Sequence, residues 1–193
     1  MQNDFSNHPY LGIGASKPRR TETIEPKKGV YKGNVLEFKE VVSEKPGQIG
    51  RVFFIITMSI EEVITGGQYV DILGDQSHSN NPGDRISFFI QESWGEDARA
   101  MQKEFLIAAW SEITPEVQAA FSEIQWAEIF CKSLYKAGSP PRGCERMDLS
   151  TWKDQPCRGR QVVVAVTERA NREKTKIFPR FQFSRSEADE IPF

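Results

Sequence analysis

Aromatic and basic side chains alternate along three segments of this chain in a way that could hold a single-stranded polyanion. Read at a period of two, residues 51–60 place Val52, Phe54, Ile56, Met58 and Ile60 on one face, and Arg51, Phe53, Ile55, Thr57 and Ser59 on the other. Residues 85–93 send Ile86, Phe88 and Ile90 inward and Arg85, Ser87, Phe89 and Gln91 outward. Residues 174–184 give a core face of Thr175, Ile177, Phe181 and Phe183, opposed by Lys174, Lys176, Phe178, Arg180 and Gln182. Tyr31 and Lys39 share a face of a fourth segment, provided that a bulge at Gly33 leaves the alternation in step. The chemistry is stacking plus charge: bases lie on aromatic rings whatever their identity, while Lys and Arg follow the phosphates.

The charge distribution points the same way. Residues 33–131 carry 6 basic and 16 acidic residues, whereas residues 132–185 carry 13 basic and 5 acidic, and residues 17–32 add 6 basic against 2 acidic. The overall net charge of −2 therefore hides a basic C-terminal third, in which Arg158 and Arg160 join the strand cations as candidate phosphate contacts.

Signatures of other chemistry are thin. There is no phosphate-binding GxxxxGK[ST], no GxGxxG, no HExxH and no CxxC pair. The two histidines, His8 and His78, fall in loop-like contexts. Cys131, Cys144 and Cys157 stand 13 residues apart, a spacing that matches no zinc-ligand pattern and suits free thiols in a reducing cytoplasm. The paired carboxylates Glu61–Glu62 and Glu96–Asp97 fall at expected strand-end and helix-start positions, where the helix dipole accounts for acids. The sequence therefore predicts a non-enzymatic protein with no cofactor and no metal. No apolar run reaches the roughly 18 residues of a membrane span, and the first 20 residues lack the pattern of a signal peptide.

The elements that must position these residues follow from the periodicity. "GVYKGNVLEFKEVV" (29–42), "RVFFIITMSIEEVI" (51–64) and "RISFFIQES" (85–93) read as strands, and residues 65–84 hold a short strand at most. Residues 95–113 read as a helix. Residues 114–138 read as one more helix, with Thr114 as N-cap, Pro115 at the first position and Gly138 past its end. An irregular basic segment leads to two last strands, 160–169 and 174–184. Five strands with a helical insertion (about 95–138) between the third and fourth form the arrangement of the OB fold, a small, partly open barrel that binds oligonucleotides. The expected fold class is thus mainly β (α+β). A flexible basic arm (1–28) would precede a binding domain (29–184), and an acidic tail (185–193) would follow it.

The tail carries a resemblance. "ADEIPF" resembles the acidic tip of bacterial single-stranded DNA-binding proteins, with Asp189, Glu190, Ile191, Pro192 and Phe193 matching it position by position, Glu standing in place of one Asp and with fewer acids upstream. In that family the tip docks replication and repair proteins through the terminal Phe and its carboxylate, so the resemblance implies a partner-binding role for these five residues. The body, through "GVYKGNVLEF", "PCRGRQVVVAV" and "TKIFPRFQFS", resembles the single-stranded DNA-binding proteins of phages. Both imply a protein that coats single-stranded DNA in replication, recombination and repair, phage-encoded and acting in the bacterial host cytoplasm. Its partners would be that DNA and, through the tip, replication or recombination proteins, with no membrane and with a homo-oligomer left open. A recombination mediator or annealing protein on the same barrel, a DNA-processing enzyme and a pure protein-interaction module are the alternatives.

Overall fold

The computed structural model describes residues 23–186. Its main sheet is built from β2 (Gly29–Val42), β3 (Val52–Thr65), β6 (Arg85–Gln91), β7 (Gln161–Ala170) and β8 (Ile177–Arg185). These segments are rich in Val, Ile and Phe, whose branched or flat side chains fit a pleated, half-buried surface. A two-residue strand, β1 (Thr23–Ile24), adds to the β6 edge in parallel, and the sheet order is β1-β6-β3-β2-β7-β8. All other pairings in this sheet are antiparallel. The protein is thus mainly β with six strands in the sheet, and the sheet is not a closed barrel, since β6 and β8 are not hydrogen-bonded neighbours.

Side chains bridge that seam instead. Phe88 of β6 lies with its ring centroid 4.8 Å from Phe181 and 5.3 Å from Phe183, both on β8. Phe183 continues to Phe105 at 5.3 Å, and Phe105 to Phe38 at 4.8 Å. Edge-to-face aromatic pairs add about 0.5–1.5 kcal/mol each beyond the area they bury. Phe105 belongs to α1 (Glu96–Ala109), which turns Ala98, Gln102, Phe105, Leu106 and Ala109 toward the core. The alternation in β3 holds as the sequence predicts, with Val52, Phe54, Ile56, Met58 and Ile60 all buried.

The alternation in β2 does not. Gly33 sits at a register shift, as expected, and a Cβ there would lie 2.3 Å from the Ser59 carbonyl oxygen. A further shift falls between Val35 and Glu37. It inverts the faces, so odd positions point inward up to Val35, while Phe38 is the buried residue beyond it. Tyr31 and Lys39 therefore end on opposite faces. Tyr31 is fully buried, and its hydroxyl donates to the backbone carbonyls of Lys27 (2.7 Å) and Lys28 (3.1 Å) while accepting from the Asn80 N–H (3.1 Å). It is a core residue rather than a stacking ring.

Four other local expectations are corrected. Of the supposed arm, Thr23–Ile24 form β1 beside β6, and residues 1–22 lie outside the described residues. Residues 65–84 contain a ribbon, β4 (Gln68–Val70) paired with β5 (Gln76–His78). The second helix is two, α2 (Pro115–Ala120) and α3 (Glu123–Leu134). Thr114 caps α2 as predicted, but a capping box between Ser122 and Gln125 restarts the helix, because each side chain satisfies a backbone N–H of the other. The final strand begins at Ile177 and not at residue 174, because Asn171 ties residues 171–176 into a turn: its side-chain oxygen accepts from the N–H groups of Thr175 (2.7 Å) and Lys176 (2.9 Å). Thr175 is consequently exposed rather than part of the core.

Arg185, the last residue of β8, fastens the insertion to the sheet. Its guanidinium donates to the carbonyls of Ile107 (3.1 Å) in the last turn of α1, where carbonyls lack helical partners and the dipole favours a cation, and of Trp110 (3.5 Å) and Ile113 just beyond the helix.

Candidate nucleic-acid interface

The outer face of the β2–β3–β6 region is assembled in rows. Lys39, Ile55 and Phe89 stand side by side across the three strands, as do Glu37, Thr57 and Ser87, and Val41, Phe53 and Gln91. The Thr57 and Ser87 hydroxyls are hydrogen-bonded at 2.8 Å and make a small polar floor. Ser87 is buried there, a position the alternation alone would leave open to solvent.

Two further segments raise this face into a groove of about 1440 Å³. On one side is the β7–β8 hairpin, with Arg169 paired across the strands with Phe178, and Arg180 with Thr167. On another is the irregular segment after α3, which contributes Lys136, Asp154, Gln155 and Arg158. That segment is pinned by backbone bonds, Gly159 N–H to the Val35 carbonyl (2.7 Å) and Val35 N–H to the Arg160 carbonyl (2.8 Å). Gln155 adopts a left-handed conformation (φ 47°), with its backbone N–H (3.0 Å) and its side-chain amide (3.4 Å) both donating to the Tyr135 carbonyl. A non-glycine residue in this region costs on the order of 1 kcal/mol, which the surrounding bonds offset.

Three aromatic rings in the groove present large areas to solvent: Phe89 at 53%, Phe178 at 51% and Trp94 at 45% exposure. Seven basic side chains line it (Lys39, Arg85, Lys136, Arg158, Arg169, Arg172, Arg180) against four acids, Glu25, Glu37, Asp97 and Asp154. Lys39 and Glu37 form an ion pair at 2.6 Å, both partly exposed. Such surface pairs contribute no more than about 1 kcal/mol, so an incoming phosphate can compete for the lysine.

Of the sequence-predicted nucleic-acid residues, Lys39, Arg85, Phe89, Arg158, Phe178 and Arg180 come together here. Phe53 lies on the same face one row beyond Phe89, half-buried, and Arg51 precedes β3 at its exposed end. Lys174 and Lys176 are exposed in the β7–β8 turn, outside the groove lining, with Lys174 also left-handed at φ 52°. Arg160 is turned away from the groove: its guanidinium reaches Glu112 at 3.2 Å and lies 5.4 Å from the Trp110 ring centre. The Glu112 carboxyl is held below its usual range, first by its own backbone N–H and then by Arg160. Asp189, Glu190, Ile191, Pro192 and Phe193 lie outside the described residues.

Sequence reasoning missed Trp94, Lys136, Arg169 and Arg172. Trp94 closes a single 3₁₀ turn (Glu92–Trp94) that follows β6 directly, where the strand alternation no longer applies. Its position in "ESWGED", a large aromatic set among polar and acidic neighbours, was the available signal. Arg169 and Thr167 follow the outward alternation of β7, which could have been read in the same way as the other strands.

Other residues weighed for chemistry are engaged locally. Glu61 accepts hydrogen bonds from the side-chain amides of Asn34 and Gln161, while Glu96 and Asp97 stand in the first turn of α1. The three cysteines are free thiols, Cys144 and Cys157 buried and Cys131 half-buried on α3. Burial pushes the Cys131 thiol up to about 12, with Cys144 adding to the shift. No helix among the described residues is long and apolar enough to cross a membrane.

Comparison with models of known protein families gives no match, and comparison with curated proteins gives none either.

Proposed function

We propose that this protein binds single-stranded DNA in the groove and acts as a non-enzymatic coat for unwound DNA. The observation that carries the reading is the combination of Phe89, Trp94 and Phe178, solvent-exposed rings, with seven basic side chains in one open groove. Exposed apolar side chains gathered in one groove mark a binding site, and the rings here stand among the charges that would track a phosphate backbone. Duplex DNA hides its base faces in the stack, so this arrangement favours a single strand.

The topology supports an OB-type scaffold. Taken in chain order, the five long strands lie in the sheet as third, second, first, fourth, fifth, with the helices inserted between third and fourth. The groove lies on the outer face of the first three, beside the hairpin joining the last two, as in oligonucleotide-binding members of that fold. The resemblance of the C-terminal tip to that of bacterial single-stranded DNA-binding proteins supports recruitment of replication or recombination proteins through Phe193. The resemblance of the body supports a phage-encoded protein at work in the host cytoplasm.

Fluorescence anisotropy with labelled single-stranded and duplex DNA of equal length tests the reading. Tight, salt-sensitive binding to the single strand with much weaker binding to duplex is expected. Equal affinities for both would overturn the stacking site.

A further inference from the structure

A second cleft, of about 730 Å³, opens between α1 and the base of the β4–β5 ribbon. It shares Asp97, Met101, Arg180 and Phe181 with the groove, so the two are contiguous. We propose that a bound single strand continues past Arg180 into this cleft, which takes one or two further nucleotides by their bases; this rests on the single-stranded DNA reading of the groove.

The walls suit bases rather than phosphates. One wall is a single face of α1, where Asp97, Ala100, Met101 and Glu104 recur at helical spacing beside the core-facing residues, with Met101 packed against the core. The facing wall is β7 and β8, through Val166, Phe181 and Gln182. Tyr69 stands at the ribbon, with the Lys28 Nζ 5.4 Å from its ring centre. The ribbon is held against β7, because the Ile72 N–H donates to the Glu168 carboxylate at 3.2 Å. The volume falls within the range of about 300–1,000 Å³ typical of small-ligand pockets, enough for one or two nucleotides and too small for a second duplex or domain.

Charge separates the roles of the two cavities. Basic side chains outnumber acids seven to four in the groove, whereas Lys28 and Arg180 are balanced by Asp97 and Glu104 in the cleft. A cleft with no net charge, an apolar floor and carboxylates that can accept from base amino groups gains little from neutralising phosphate. Burial raises the Glu104 carboxyl above its usual range, in keeping with the low polarity of that wall. Arg180, at the junction, is placed to hold the phosphate between the last nucleotide in the groove and the first in the cleft.

The test is anisotropy with a series of labelled oligonucleotides from about 4 to about 16 nucleotides, the range of site sizes for one such domain. Wild-type affinity should rise again once the strand is long enough to pass Arg180. The double variant Ala100→Leu with Gln182→Leu narrows the cleft from opposite walls at exposed positions. It should bind short oligonucleotides as wild type does and lose about fivefold or more on long ones, the effect of one stacked base. That ratio should hold between about 50 mM and about 200 mM salt, because no phosphate contact is removed. Tyr69→Ser, which removes a wall instead of filling the space, should give the same length-selective loss if the double variant fails to fold. Unchanged long-strand affinity, a loss equal at all lengths, or a loss that disappears in high salt overturns the cleft while leaving the groove standing. Absence of single-strand binding at every length overturns the function proposed above, and this inference with it.

Discussion

Phe88 on β6 and Phe181 on β8 pack at 4.8 Å between ring centroids, although their strands are not neighbours in the sheet. The contact draws β6 and β8 toward each other without a backbone ladder. It also sets the spacing between the Phe89 and Phe178 sides of the groove, since each ring is one or a few residues from its exposed counterpart. Phe88→Ala should therefore lower stability by about 3–5 kcal/mol, the cost of a large core truncation, and Phe88→Leu should cost less than the alanine variant, because it fills most of the space while losing the ring pairs. Urea unfolding followed by circular dichroism measures both. A loss under about 1 kcal/mol for the alanine variant would show that the seam is held elsewhere.

Trp94 should report DNA binding directly. The other three tryptophans are engaged: the Trp110 indole N–H donates to Ser133 at 2.9 Å, Trp126 packs edge-on to Phe121, and Trp152 packs edge-on to Tyr135. Single-stranded DNA should quench the intrinsic fluorescence, and Trp94→Phe should abolish most of the quenching. Trp94→Ala should weaken binding by about 1–3 kcal/mol, the value of one stacked base. Unaltered quenching in the phenylalanine variant would remove Trp94 from the interface.

Two arginines two residues apart should behave oppositely. Arg158 lines the groove, while Arg160 is engaged by Glu112 and Trp110. Arg158→Ala should reduce the salt slope of single-strand binding by about 0.7, the contribution of one phosphate contact. Arg160→Ala should leave that slope at its wild-type value. Titrations at several salt concentrations distinguish them, and equal effects would mean that the bound state reorganises the Arg160 contacts.

Tyr31 sets an alkaline limit to stability. Burial, the largest influence, pushes its hydroxyl up to about 12 from an ordinary value of 10.0, with the Asn80 N–H opposing the shift. The folded state therefore favours the protonated phenol. This contribution is fully present below about pH 10 and is lost as the pH rises toward about 12, because the unfolded chain then releases the proton first. Unfolding free energy should begin to fall above about pH 10. Tyr31→Phe should be less stable at neutral pH, because the Asn80 N–H loses its acceptor, but should show a shallower alkaline decline. An equally steep decline in the variant would assign it to other groups.

Much of the scaffold is legible in the sequence because alternation and capping are properties of neighbouring residues. The buried run of β3, the outward Phe89, the inward Phe181 and Phe183, and the Thr114 cap all follow from local pattern, and the order of strands and helices follows with them. What escapes depends on distant backbone or on partners through space. Whether Tyr31 and Lys39 share a face turns on the register shift between Val35 and Glu37, which exists only in the pairing of β2 with β3. Whether Arg158 or Arg160 is available to a ligand turns on where Glu112 and Trp110 lie, almost 50 residues away. The break at Ser122 was written in its Ser-x-x-Gln spacing, yet the apolar period of residues 114–138 runs on through it, and only the folded chain shows which signal prevails. The groove itself joins β2, β3 and β6 to the β7–β8 hairpin and the segment after α3. The sequence alone determined that aromatic and basic residues alternate on strands; the curvature that gathers six of the twelve predicted contacts, adds Trp94, and sends Arg160 elsewhere was decided by tertiary packing, because chain distance carries no record of which side chains meet across a sheet.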